Sequence, residues 1–259
     1  MKLANTGEPV PQTPPLSLQL YSVREALGQD FLGTMKRVAD IGYTLVEPYD
    51  FVAHADQLAK GFAEYGLSAP SAHLRFLDAD LNETFSTAAR IGIPTVIDPF
   101  VDPSKWTSRD DINKTADALN AAVATAAEHG IRIGYHNHQF ELENVIDGVT
   151  GLEILADALD PAVILELDTY WAAVGGQDVV ALLGRLGDRV HFIHIKDGPI
   201  VADPLTQVAV GSGKMPIWDV IAAAKNVEVG VVELDAFAGD MFDAVTDSLA
   251  YLTGNKASA

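Results

Sequence analysis

Eight short runs of apolar and β-branched residues recur along this chain, spaced at roughly the 30 residues of one strand-plus-helix unit. They are Leu16–Tyr21, Thr44–Glu47, Leu67–His73, Thr95–Asp98, Ile131–Asn137, Val163–Leu167, Val190–Ile195 and Val229–Glu233. Between them apolar residues fall at helical spacing, as Phe31, Met35 and Val38 do, and then Ile112, Ala116, Leu119, Val123 and Ala126 in the longest stretch. Gly42, Gly66, Gly92 and Gly130 each stand just before a strand, where a helix can end on a left-handed residue. Strands joined by helices run parallel, and a parallel sheet has both faces covered, which suits runs as apolar as VILEL and VHFIHI. Eight such units predict an α/β fold of the closed (β/α)8 TIM-barrel type. The competing open, doubly wound sheet would place G-x-G-x-x-G after its first strand, and that motif is absent there.

Of 13 prolines, Pro9, Pro11, Pro14 and Pro15 fall in the first 15 residues, so residues 1–15 are expected to form a flexible, extended arm. Residues 16–259 are expected to form one barrel domain, since no linker or low-complexity stretch interrupts them. No apolar run nears the ~20 residues of a membrane span, and Met1–Val10 lacks the apolar stretch of a secretory signal. A cytoplasmic protein with no membrane partner is therefore expected, and assembly into a homo-oligomer is left open. With 17 Lys and Arg against 36 Asp and Glu, the net charge of −19 repels phosphate backbones, so no nucleic-acid partner is expected. The absence of cysteine removes disulfides and thiol catalysis and leaves any metal to His, Asp and Glu.

In a barrel of this kind chemistry sits where the strands end and lead into the helices. Those ends carry Gln19, Tyr21 and Arg24, then Glu47, His73 and Asp98, then Tyr135-His136-Asn137-His138 with Glu141 beyond. Asp168 and Trp171 follow the sixth strand, His194, Lys196 and Asp197 the seventh, and Glu233 and Asp235 the eighth. Residues two apart on a strand share a face, so Asp168 pairs with Glu166, His194 with Lys196, His136 with His138 and Glu233 with Asp235. Pointing Asp168, His194 and Glu233 inward brings mixed oxygen and nitrogen ligands from three adjacent strands to one place. A fourth ligand can come from Glu141 or from a strand-five histidine. Such a thiolate-free set suits one divalent ion, Mn2+ in the first place, with Mg2+, Co2+ or Zn2+ as alternatives.

The blander readings differ by residue. His191 is expected as a hydrogen-bonded core residue and Asp98 as a turn residue beside Pro99. Lys196 and Asp197 could pair with each other, Glu47 could cap a helix, and Trp171 could be ordinary packing rather than a wall against a sugar face. Asp110 and Asp111 fit a solvated helix start.

The motifs LQLYSVRE (18–25), GYTLVE (42–47), SAH (71–73), YHNHQFEL (135–142), LELDTYWAAVGGQD (165–178), HIKDG (194–198), VGSGKMPIWDV (210–220) and VELDAF (232–237) make the chain resemble the sugar phosphate isomerase/epimerase family. That is the xylose isomerase-like barrel shared with inosose-processing enzymes and AP-endonucleases. The resemblance implies a divalent-metal-dependent barrel acting on a small carbohydrate, with four ligands from strands five to eight. Asp168, His194 and Glu233 match three of them, and in the YHNHxxE branch Glu141 takes the strand-five role. Gly211-Ser212-Gly213 departs from the Gly-Glu-Gly of relatives, so any role of that acid is absent. The expected reaction is isomerisation or epimerisation of a keto-sugar or polyol-derived ketone through an enediolate. His136 or His138 serves as acid or base, with Glu233 and Lys196 assisting. Glu47, His73, Trp171, Tyr21 and Arg24 are expected to contact the sugar. The alternatives are a dehydratase or lyase acting by β-elimination on a keto-sugar or keto-glycoside, and a non-catalytic carbohydrate-binding barrel. Basic residues near the strand ends are few, chiefly Arg24, Arg75, Lys196 and Lys214, which points to an unphosphorylated substrate.

Overall fold

The computed structural model describes residues 13–254. The segment expected as a proline-rich arm lies, up to residue 12, outside the described residues. Pro15 is seated, because its carbonyl accepts the Gly230 N–H at 3.0 Å.

Eight strands form the barrel: β1 (Leu16–Gln19), β2 (Leu45–Glu47), β3 (Ala72–His73), β4 (Thr95–Asp98), β5 (Arg132–His136), β6 (Val163–Asp168), β7 (Val190–Ile195) and β8 (Val229–Val232). All pair in parallel, in the order β2-β1-β8-β7-β6-β5-β4-β3. Parallel bridges Leu45↔Ser68 and Tyr49↔His73 join the two ends of that order and close the ring. This is a (β/α)8 TIM barrel. The third strand is shorter than its expected Leu67–His73. Pro70 has no N–H to give a ladder, so regular pairing resumes only at Ala72. The first strand stops at Gln19, whose side chain accepts the Tyr21 N–H and opens a tight turn over Leu20–Val23.

The helices form where the 3.6-residue period runs, and three of them end on Gly42, Gly66 and Gly92 in the left-handed conformation. The longest helix, Arg109–Glu128, begins at Ser108, whose hydroxyl accepts the Asp111 N–H, and carries Asp110 and Asp111 in its first turn. An antiparallel hairpin, Val145–Ile146 against Val149–Thr150, follows β5. Its turn residues Asp147 and Gly148 both have positive φ, as a two-residue hairpin turn requires.

Two apolar layers result. The larger lies between strands and helices. The smaller fills the barrel with Ile97, Ile164, Phe192, Val229 and Val231. Gly134 is needed beside it, since a Cβ there would stand 2.9 Å from Ile164 Cγ1. At the N-terminal end of the strands Arg132 holds Glu228 by both oxygens, at 2.7 and 2.8 Å, and His191 Nδ1 stands 2.6 Å from the same carboxylate. His191 thus lies at the end of the barrel away from the mouth. Above the apolar plug the interior turns polar.

Candidate metal and active site

The first polar layer is a buried knot of side chains from six strands, β1, β2, β3, β5, β6 and β7. Glu166 on β6 sits at its centre, with one carboxylate oxygen, Oε2, 2.5 Å from His73 Nε2, 3.0 Å from His136 Nδ1 and 3.0 Å from His194 Nε2. Glu47 on β2 lies opposite, 2.9 Å from His194 Nε2 and 3.2 Å from His73 Nε2. Gln19 donates to Glu47 at 2.8 Å, and Ser71 donates to its other oxygen. Glu47 is fully buried, is not among the residues that line the mouth pocket, and caps no helix among the described residues. It orients His194 instead.

The second polar layer lies at the mouth. Asp168, His194 and Glu233 bring ligand atoms within 4.8 Å of one another, as do His73, His136, Glu166 and His194 in the layer below. A cation in the upper group would meet a substrate through Glu233, which lines the mouth pocket; of the lower group, His73 and His136 line it and Glu166 does not. Asp168 Oδ2 is buried with the Lys196 ammonium 2.9 Å away, the kind of charged partner that a buried carboxylate oxygen requires. His194 Nδ1 stands 2.7 Å from Glu233 Oε2.

Glu166 decides which imidazole nitrogens face that cation. Accepting from His136 Nδ1 and His194 Nε2, it leaves His136 Nε2 and His194 Nδ1 as the nitrogens aimed at the upper layer. His136 Nε2 lies 3.8 Å from Asp168 Oδ2. His136 thus turns one nitrogen toward Asp168, although its ligand atoms group with those of His73, Glu166 and His194 in the layer below.

Glu141, expected as the strand-five ligand, is not brought to the cluster. Both its oxygens are committed, one to the Tyr135 hydroxyl at 2.8 Å and the other to the His138 N–H at 2.9 Å. It anchors the chain as β5 turns out of the barrel. Burial pushes its carboxyl up to about 8. A folded-state value above the ordinary 4.5 contributes stability that is complete below about pH 4.5 and lost as pH rises through about 8. Glu141→Gln is therefore expected to flatten the fall in urea midpoint between pH 5 and pH 9; an unchanged slope would contradict this reading of Glu141.

Lys196 and Asp197 do not pair with each other. The buried Lys196 ammonium stands 2.9 Å from Asp168 Oδ2, 2.7 Å from Glu233 Oε2 and 2.8 Å from Asp235 Oδ2. Asp197 instead accepts four backbone N–H groups, from Gly198, Gly211, Gly213 and Met215, at 2.8 to 3.0 Å, and so ties down the loop after β7. Gly213 is required there, since a Cβ would lie 2.1 Å from Asp197 Oδ1.

Burial opposes charge on every one of these groups, and their partners decide the outcome. Against burial, Glu166 and Glu233 hold His194 protonated well above the usual range for histidine. Against burial, Lys196 and His194 hold Glu233 well below the carboxylate range. Asp168, Asp235 and Glu233 together outweigh burial and keep Lys196 charged. Burial pushes Asp168 up to about 6, against the pull of Lys196 and His194. Burial and the neighbouring His194 push His136 well down, and burial with Lys196 brings His138 to about 4. A metal-free site with a charged His194 must release its Nδ1 proton when a cation enters.

A pocket of about 830 Å³ opens over this layer, lined by Tyr21, Arg24, Tyr49, Asp50, His73, Arg75, Phe100, His136, His138, Trp171, Glu233 and Asp235 among others. Four of the residues expected to contact a sugar, Tyr21, Arg24, His73 and Trp171, thus lie on its wall. Asp98 behaves as a turn residue, accepting the Leu77 and Phe100 N–H groups. Glu166 and Asp235 carry no role assigned from the sequence, which places them only by face. The two-residue parity with Asp168 and Glu233 was the signal that marked them.

A closed parallel barrel with a buried His/carboxylate cluster at the C-terminal ends of its strands is the framework of a metal-centred (β/α)8 protein. Residues 35–253 match the family model described as the xylose isomerase-like TIM barrel, and the chain belongs to that family. An inosose dehydratase of Geobacillus kaustophilus is 33% identical over 95 residues, which is 36% of this chain and 28% of that protein. The match thus spans under a third of that relative's length. A sugar phosphate isomerase/epimerase structure from Parabacteroides distasonis superposes with a TM-score of 0.78 at 23% identity, covering 97% of each chain. A zinc-containing structure of IOLI protein gives a TM-score of 0.72 at 16% identity, covering 95% of this chain and 100% of that one. At such identities the two superpositions establish the fold. No helix among the described residues is long and apolar enough to cross a membrane.

Proposed function

We propose that this protein is a divalent-metal-dependent lyase that eliminates a β-oxygen substituent from a small keto-sugar or cyclic keto-polyol in the cytoplasm. The reading rests on the residues available to handle protons, which are unlike one another. Epimerases that work with two carboxylates need matched groups on opposite faces, and here the strand-five position holds a histidine. Elimination needs an acceptor for the α-proton and a donor for the departing oxygen, and His138 and Lys196 differ in that sense.

Asp168, His194, Glu233 and His136 would hold the cation, which supplies Lewis-acid polarisation of the carbonyl and its neighbouring hydroxyl. His138 stays neutral near pH 7 because burial and Lys196 hold it down at about 4. Its Nδ1 is buried with no partner, and its ring borders the pocket, so it is free to accept a proton. Glu233 and Asp235 then favour the charge it gains. Lys196 keeps its proton through three carboxylates and presents it beside the pocket wall at Glu233 and Asp235, where a leaving oxygen can collect it. Trp171 Nε1, buried and unbonded, offers one more donor to a substrate oxygen.

The similarity to an inosose dehydratase makes an inosose the first substrate to test. Incubating the metal-loaded protein with inosose and with keto-hexoses in D2O separates the reactions. An unsaturated ketone, or the diketone it rearranges to, supports elimination. A second reading, the isomerase or epimerase expected from the sequence, is favoured by His136 and His138, two imidazoles bordering the pocket that could return a proton to carbon. Deuterium entering the carbon skeleton without loss of water would select that reading and overturn elimination. Failure to bind any divalent ion after reconstitution would overturn both and leave a non-catalytic carbohydrate-binding barrel.

A further inference from the structure

The mouth pocket is far larger than the chemistry at its floor needs. A single hexose ring fills roughly 200 Å³, six or seven water volumes of about 30 Å³ each. The pocket holds about 830 Å³, within the ~300–1,000 Å³ of sites that enclose drug-sized ligands. Its lining also changes character with height. The deep part is polar and enclosed, with His73, His136 and Glu233 nearly buried. The outer part is aromatic. Tyr21 and Tyr49 meet edge to face at 5.2 Å on one side, and Phe100 stands on the wall with its ring edge-on to His138 at 5.7 Å.

Two of the three outer rings are held by a cation. The Arg24 guanidinium lies 4.0 Å from the Tyr21 ring centre and donates to the Tyr21 carbonyl at 2.8 Å, while Arg75 lies 5.2 Å from the Phe100 ring centre. Tyr21 is nonetheless 40% exposed. A sugar confined to the metal layer would leave these faces in water. Aromatic faces suit a flat or ring-shaped apolar surface, and stacking of this kind is worth about tenfold in affinity.

We propose that the outer half of the pocket, walled by Tyr21, Tyr49 and Phe100, is a second ring subsite. Its ligand is an aromatic ring or a second pyranose joined to the sugar that occupies the metal layer. This deepens the reading of the site given above and rests on it. The substrate class becomes a keto-glycoside, in which the bond between the two rings is the one next to the developing double bond. The step balances without any co-reactant. The α C–H electrons form the C=C bond, the neighbouring C–O bond breaks onto the oxygen of the departing group, the α-proton goes to His138, and Lys196 gives a proton to that oxygen. The products are an unsaturated keto-sugar and an alcohol or phenol.

Calorimetric titration of the metal-loaded protein with two unreactive ligands, methyl and phenyl β-D-glucopyranoside, tests the subsite apart from the chemistry. The phenyl glycoside is expected to bind about tenfold tighter. In Tyr21→Ala and in Phe100→Leu the ratio of the two affinities is expected to fall toward one. Equal affinity in the wild type, no binding of either ligand, or an unchanged ratio in both variants would overturn the subsite. Metal affinity measured in the same samples keeps the readings apart: loss of metal in the wild type sinks the metal site, whereas full metal with no preference for the second ring sinks only the subsite.

Discussion

Replacing Lys196 by methionine is expected to destabilise the metal-free protein and to make a bound divalent ion stabilise it more than it stabilises the wild type. Among the described residues Lys196 is the one side-chain ammonium that bridges Asp168, Glu233 and Asp235. Removing one partner of a buried ion pair costs about 3–5 kcal/mol, because the charge left behind has no water to turn to. For a chain of this size that corresponds to a fall in Tm of roughly 10 °C. A divalent ion and the ammonium draw on the same two oxygens, so they oppose each other. Without the ammonium the ion faces less repulsion and the carboxylates need it more. Saturating Mn2+ is therefore expected to close most of the gap in Tm between variant and wild type, while turnover is lost with the proton donor. A variant as stable as the wild type without metal would contradict the bridging role. An equal gap with and without Mn2+ would contradict the shared oxygens.

The second large effect is expected at Glu166. Its carboxylate fixes the tautomers of His136 and His194, and outer-sphere partners of this kind are worth about 10- to 100-fold in metal affinity. Glu166→Gln keeps the size but presents an N–H2 group where one imidazole N–H needs an acceptor. Divalent-ion affinity is expected to weaken by about that factor, with one equivalent still bound at saturation. A titration that gives wild-type affinity would show that the two imidazoles are held by something other than Glu166.

Much of this was legible in the sequence. The eight strand runs point to the barrel because burial on both faces leaves a simple signature. Taking Asp168, His194 and Glu233 as inward-facing brings three adjacent strands to one place, with parity carrying Glu166, Lys196 and Asp235 to the same faces. Parity also placed Glu166 below Asp168, but it could not say that one carboxylate oxygen would meet three imidazoles, since those come from β3, β5 and β7 and meet only when the ring closes. Glu141 looked like a ligand because it stands near the end of strand five in sequence. Its real partners, the Tyr135 hydroxyl and the His138 N–H, are set by how the chain turns after the strand. Lys196 and Asp197 looked like a local pair, but neighbours on a strand face opposite ways. One enters the barrel and the other ties the loop. The Asp147–Gly148 hairpin was readable from its Asp-Gly turn flanked by β-branched residues, and the strand count simply passed over it.

The central claim is that Asp168, His194 and Glu233, with His136, hold a single divalent ion at the mouth of the barrel. Titration of metal-free protein with Mn2+, followed by calorimetry and by the paramagnetic signal of the free ion, tests it most directly. One equivalent is expected for the wild type, with protons released on binding. Asp168→Asn is expected to lose at least about 100-fold in affinity. Full-strength binding of one Mn2+ by Asp168→Asn, with loss of binding in His73→Ala instead, would place the ion in the lower layer and contradict the account.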